Sequence, residues 1–137
     1  MKDVLIVDDE TPFLQSLAEG LGDFHSGSLN VILADNGKKA IEILRTITID
    51  VVVTDLRMPV ADGYELLEYL MLNLPDLPVI VMTAHDGAGL EQRLKNLKVT
   101  RYIEKPIDFR TIANHILSVK KRALPSDRIT AIGEESQ

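Results

Sequence analysis

Three stretches of the chain, Val4 to Val7, Val51 to Val53 and Val79 to Met82, are unbroken apolar runs, the pattern of strands covered on both faces. Two weaker runs, Val31 to Ala34 and Tyr102 to Ile103, have charged or polar neighbours that suit the edges of a sheet. Helical spacing fills the intervals. The first helical segment has Phe13, Leu14, Leu17, Ala18 and Leu21 on one face, with Thr11 placed to cap it and Pro12 at its first position. The second presents Ala40, Ile43, Leu44 and Ile47, and the third Leu66, Leu67, Leu70 and Leu74 behind Asp62 as cap. The fourth carries Leu90, Leu94 and Leu97, and the fifth Phe109, Ile112, Ala113, Ile116 and Leu117 behind Asp108. Five strands alternating with five helices make repeated βαβ units, and hence an α/β fold whose parallel sheet is covered by helices on both faces. Residues 123–137 hold a Pro, a Gly and no sustained period, and read as a linker or tail.

Composition narrows this picture without changing it. The chain of 137 residues is long enough for one domain around one core. With 45% hydrophobic and 26% charged residues it has the make-up of a soluble globular protein. No apolar run approaches the roughly 20 residues of a membrane span, and the opening "MKDVLIVDDE" lacks the long apolar region of a signal peptide, so a cytoplasmic location is expected. Zero cysteines exclude disulfides, a thiol nucleophile and thiolate metal sites. Any metal is then a hard ion on oxygen ligands, the three scattered histidines being a weaker alternative. A net charge of −6 argues against binding a nucleic-acid backbone. The local cluster Lys120, Lys121 and Arg122 suits the last turn of the fifth helix.

Chemistry gathers where the central runs stop. Asp8 and Asp9 follow the first run, Asp55 ends the third strand and Thr83 the fourth. In an open α/β sheet the carboxyl ends of the strands form one edge, and ligands bind there where the strand order reverses. If the strands bearing Asp9 and Asp55 are neighbours, about 4.8 Å apart, their carboxylates converge and repel one another. A hard divalent ion resolves that conflict, and Mg²⁺, which takes one or two carboxylates and gathers phosphate oxygens, fits best. Lys105 ends the fifth strand on the same edge, where its ammonium can meet a phosphoryl oxygen or a free carboxylate. Taken singly, Asp8 or Asp9 suits a turn, Thr83 a structural role and Lys105 an ordinary surface. Together they form a phosphoryl-transfer pocket with an aspartate as nucleophile.

The segments "LIVDDE", "VVVTDLRMPVADG", "VIVMTAH" and "YIEKP", in that order, resemble the receiver domain of two-component response regulators. The resemblance covers residues 2–122, and the domain is accordingly assigned to residues 1–122, leaving 123–137 as tail. It implies a single doubly wound (βα)5 domain of flavodoxin-like type, with strand order 2-1-3-4-5. It further implies that Asp55 is the phosphoacceptor, attacking the phosphohistidine of a sensor histidine kinase or phosphotransfer protein. Asp9 and Asp55 would ligate Mg²⁺ directly, Asp8 would act through water or help place the ion, and the backbone carbonyl of Arg57 would add a ligand. Lys105 would pair with Asp55 at rest and with phosphoryl oxygens afterwards, across a cis bond to Pro106. Thr83 would swing its hydroxyl onto the phosphoryl group and Tyr102 would turn inward behind it, while the small Ala84 leaves the acceptor accessible. The face of the fourth helix, fifth strand and fifth helix would then signal to an output domain or protein, without direct nucleic-acid or membrane contact.

The sequence departs from that family in places. Lys98 stands where the family commonly has glycine, and Thr100 and Arg101 where acids are frequent. This weakens the expectation of one kind of phosphorylation-dependent homodimer, built on acidic-basic pairs along that face. Arg57, Met58, His85 and Asp86 occupy places that tune phosphoryl lifetime, and His25 and His115 read as structural or exposed. Three rivals remain: a Mg²⁺-dependent phosphohydrolase, which usually has a second acid where Arg57 stands; a nucleotide-binding module, for which "DDETP" lacks the glycine-rich loop; and a receiver-like interaction module that is never phosphorylated. With no output domain after the tail, the expectation is a fragment of a longer regulator in preference to a stand-alone one.

Overall fold

The computed structural model describes residues 2–24, 27–56, 58, 63–84, 89–99 and 101–119, with Asp23 and Phe24 described in backbone only. In chain order the elements are β1 (Lys2–Val7), α1 (Thr11–Phe24), β2 (Leu29–Ala34), α2 (Gly37–Thr46), β3 (Val51–Asp55), α3 (Gly63–Asn73), β4 (Val79–Thr83), α4 (Leu90–Asn96), β5 (Arg101–Glu104) and α5 (Phe109–Ser118). The five strands form one parallel sheet in the order β2-β1-β3-β4-β5. This is the flavodoxin-like, doubly wound arrangement that the resemblance implied, with the reversal of strand order between β1 and β3.

Burial follows the strand patterns. All five residues of β3 are buried, whereas in the edge strands only Ala34 of β2 and no residue of β5 is buried. Val4, Ile6, Val51, Val53, Ile80 and Met82 pack on one face of the sheet against Leu14, Leu17 and Leu21 of α1 and Ile112 and Ile116 of α5. On the other face Leu5, Val7 and Val52 meet Leu44 of α2 and Leu66 and Leu70 of α3. A third cluster joins Val81 to Leu67 of α3 and to Leu90 and Leu94 of α4.

Several helix ends differ from the sequence expectation. The Leu14 amide donates to the Glu10 carbonyl, so Glu10 occupies the cap position and Thr11 is already helical. Pro12 is tolerated one residue further in, because the first amides of a helix have no intrahelical acceptor. Ile47, read as part of the buried face of α2, is instead its extended C-terminal flank and is exposed. Leu117 likewise turns to solvent. Asp62 lies outside the described residues. Asp108 does cap α5, one carboxylate oxygen accepting from the Arg110 amide at 2.6 Å and the Thr111 amide at 3.1 Å.

The far end of α5 corrects the reading of the basic cluster. The helix closes at Ser118 with Val119 extended, before Lys120 to Arg122, which lie outside the described residues with the tail. Its terminal carbonyls are met by cations from the sheet. Lys2 donates to Ile116 at 3.1 Å and also to Val119, and Arg101 donates to the His115 carbonyl at 3.2 Å. Both cations suit the negative end of the helix dipole.

At the end of α4 the Val99 amide donates to the Leu94 carbonyl and the Lys98 amide to the Lys95 carbonyl, the two bonds of a Schellman motif. Its left-handed position is Lys98, with φ of 63°. A lysine therefore holds a conformation that favours glycine.

Candidate phosphoacceptor site

The pairing of Val7 with Thr54 sets Asp8, the residue just after β1, level with Asp55 at the end of β3. Asp8 is fully buried and Asp55 is 8% exposed, while Asp9 faces solvent. Each of the three offers a carboxylate oxygen within 4.8 Å of the others. The sheet register thus brings together what the sequence held 47 residues apart, Asp8 and Asp55.

Backbone amides fix one oxygen of each buried acid. Asp8 Oδ1 accepts from the Glu10 amide at 2.9 Å, and Asp55 Oδ1 accepts from the Leu56 amide at 2.7 Å. The second oxygens share one cation: Lys105 Nζ donates to Asp8 Oδ2 at 2.9 Å and to Asp55 Oδ2 at 3.1 Å. The lysine was expected to rest on Asp55, and its contact with Asp8 is the shorter of the two. Exposed Glu10 stands further off, at 3.7 Å. Burial by itself would lower the Lys105 pKa, but its hydrogen bonds and attraction to Asp8 and Asp55 outweigh that and hold it above the ordinary lysine value. Lys105 is therefore a fixed positive charge at neutral pH.

The other strand ends complete the rim. Thr83 is buried at the end of β4, and its carbonyl accepts from the Lys105 amide at 2.7 Å, tying the lysine to the neighbouring strand. The Lys105–Pro106 bond is cis. Ala84 is exposed and Tyr102 is 39% exposed on β5. Met58, which the resemblance places where side chains tune phosphoryl lifetime, is buried in the cluster that holds Leu5, Val7 and Leu66. Arg57, His85, Asp86, His25 and Thr100 lie outside the described residues.

Two features of the site were missed in the sequence. A Cβ at Gly63 would lie 2.2 Å from the Asp55 carbonyl oxygen and 2.6 Å from Leu56 Cα, so the start of α3 sits directly against the backbone of the acceptor. The Gly63 amide donates to the Leu56 carbonyl at 2.9 Å across the same contact. Secondly, Phe13, read only as a core residue of α1, has its ring centroid 4.9 Å from Lys105 Nζ.

One ammonium set against three converging carboxylates leaves negative charge in excess, and oxygen donors alone compose the group. That donor set fits a hard divalent ion such as Mg²⁺ and suits no soft metal. Fold and site together define a signalling phosphoacceptor domain. Residues 4–117 match the response regulator receiver domain, and the chain belongs to that family. It is 36% identical over 110 residues to the transcriptional regulatory protein ZraR of Escherichia coli K12, an alignment covering 78% of this chain and 24% of that one. The chain spans between about a quarter and a third of the length of this relative and of two ZraR proteins from other bacteria that it also resembles. Among solved structures it is similar to a CheY-like receiver domain protein from Methanospirillum hungatei, at 26% identity and a TM-score of 0.78, covering 85% of this chain and 91% of that one. The chemotaxis protein CheY4 of Vibrio cholerae, 24% identical, shares the fold with a TM-score of 0.79 over 88% of this chain and 99% of that one.

Proposed function

We propose that Asp55 accepts a phosphoryl group from the phosphohistidine of a sensor histidine kinase or phosphotransfer protein, and that the phosphorylated domain signals through the face formed by α4, β5 and α5. The observation that carries this reading is the shared grip of Lys105 on Asp8 and Asp55, which leaves a carboxylate at the sheet edge held in place and partly neutralised. Asp55 Oδ2 attacks phosphorus, the P–N bond breaks and its electron pair returns to the imidazole. Lys105 follows the charge, exchanging the carboxylate for a phosphoryl oxygen.

Asp9 and Asp55, with Asp8 nearby and the Arg57 carbonyl, would hold Mg²⁺, which when bound supplies positive charge for the phosphoryl oxygens. The phosphoryl group also gives the Thr83 hydroxyl a new partner at the end of β4. Tyr102, half in solvent on the adjacent strand, then turns inward. These contacts exist in one conformation alone, and so shift the balance toward it. Arg101 is engaged within the domain by His115 and Ser118, which speaks against its use in an ionic dimer contact. Residues 1–122 are the receiver unit, 123–137 its linker or tail, and the cytoplasm its place of action; among the described residues no helix is long and apolar enough to cross a membrane.

Incubation with Mg²⁺ and acetyl phosphate, followed by intact-mass measurement, tests the reading. A single phosphoryl adduct on the wild type and none on Asp55→Ala is expected. An undiminished adduct on Asp55→Ala would sink it, and sustained phosphate release over many turnovers would favour a phosphohydrolase.

A further inference from the structure

Among the described residues four neighbours act on the charge of Lys105: Asp8, Asp55, the more distant Glu10, and one that is not an acid. The Phe13 ring lies against the ammonium at 4.9 Å, within the range of a cation–π contact. Its placement follows from the chain. α1 begins directly after the acidic pair, and helical side chains lean toward the N-terminus of their helix, so a residue in the first turn leans back over the sheet edge. Phe13 is half-buried and packed on the core cluster of α1 and α5, which anchors its ring.

The Lys105 side chain is only 14% exposed, and Glu10 offers a competing, solvent-facing carboxylate at 3.7 Å. An aromatic face attracts the cation without satisfying any of its N–H donors, so those donors stay directed at the buried oxygens. We infer that Phe13 is a positioning residue for phosphoryl transfer, its ring holding the Lys105 ammonium over Asp8 and Asp55. This rests on the phosphoacceptor reading above.

The test compares rates of adduct formation with acetyl phosphate and Mg²⁺ for Phe13→Leu, Phe13→Tyr and Phe13→Trp. Leucine keeps the apolar bulk and loses the ring, and is expected to slow transfer roughly fivefold, the order of one partly desolvated cation–π contact. Tyrosine and tryptophan keep an aromatic face and are expected to stay near the wild-type rate. A double-mutant cycle with Lys105→Gln is expected to show the two losses overlapping, the pair losing less than the product of the single losses. In proton–carbon correlation spectra the protons on Lys105 Cε of the wild type should carry an upfield ring-current shift that Phe13→Leu removes. Equal rates for wild type and Phe13→Leu, an equal fall for the leucine and tyrosine variants, or losses that simply multiply would each overturn the inference while leaving the phosphoacceptor reading in place. No adduct on the wild type would overturn both.

Discussion

Replacing Gly63 by alanine should damage fold and site together. The added Cβ would stand 2.2 Å from the Asp55 carbonyl oxygen and 2.6 Å from Leu56 Cα, where real contacts essentially never fall below 3.0 Å. The backbones must therefore part by about 0.8 Å at least. Neither side yields easily: Asp55 ends a fully buried strand paired with β4, and Gly63 is buried at the start of α3. A flexible side chain could give way here, but these are main-chain atoms. Overpacking of this kind costs about 1–3 kcal/mol, and a backbone clash belongs at the upper end. For a domain of this length about 3 kcal/mol lowers Tm by roughly 10 °C. The same displacement would pull Asp55 off its 3.1 Å contact with Lys105, and misplacement on the order of 1 Å slows chemistry up to roughly a hundredfold. Far-UV circular dichroism suits the melt, since the chain has no tryptophan to report by fluorescence. A Gly63→Ala protein melting within about a degree of wild type and phosphorylated at the same rate would refute the argument that this approach constrains the acceptor.

Four further outcomes follow from other parts of the molecule. Lys98→Gly should stabilise the domain by about 1 kcal/mol, because φ of 63° strains a side-chain-bearing residue and suits glycine; urea denaturation reads this directly. Asp108→Ala should cost about 1 kcal/mol by the same assay, through loss of the bonds from the Arg110 and Thr111 amides. Mg²⁺ at a hundred times its Kd should stabilise by about 2.7 kcal/mol, and Asp9→Asn should remove most of that gain in thermal melts with and without the ion. The Lys105 pKa is raised on folding, so its contribution is fully present below the unfolded value of 10.5 and fades as pH climbs through the folded value. As pH climbs above 10.5 the wild type should lose more stability than Lys105→Arg, whose guanidinium keeps its charge.

Local pattern carried much of the fold, for reasons visible in single elements. β3 reads as a central strand because all its residues are buried, and β2 and β5 read as edges because all of theirs but Ala34 meet solvent. The order of the strands is not written in any local pattern; it came from the family resemblance, since hydrophobic runs say nothing about which strand lies beside which. Helix ends were the least legible. Glu10, not Thr11, caps α1, because the chain is held there by the Asp8 side chain bonding the Glu10 amide, a contact no propensity reports. The caps of α5 divide the same way: Asp108 is local and was legible, whereas Lys2 and Arg101 reach across from the sheet.

Within the site, Asp8, Asp9, Asp55 and Lys105 were legible because each follows or ends a strand, and parallel strands end on one edge. Gly63 and Phe13 were not. Glycine in the first turn of a helix looks like a local matter until the approach to Asp55 is seen. A phenylalanine at helical spacing looks like any core residue, and only the cation beside it distinguishes its ring.

The central claim is that Asp55 itself receives the phosphoryl group. Borohydride reduction of the adduct, followed by peptide mass spectrometry, tests this most directly, because an aspartyl phosphate is reduced to homoserine at the residue that carried it. Homoserine is expected at position 55, dependent on Mg²⁺ and on the phosphodonor. Homoserine at Asp8 or Asp9, or a phosphoryl adduct that survives reduction unchanged at another residue, would contradict it.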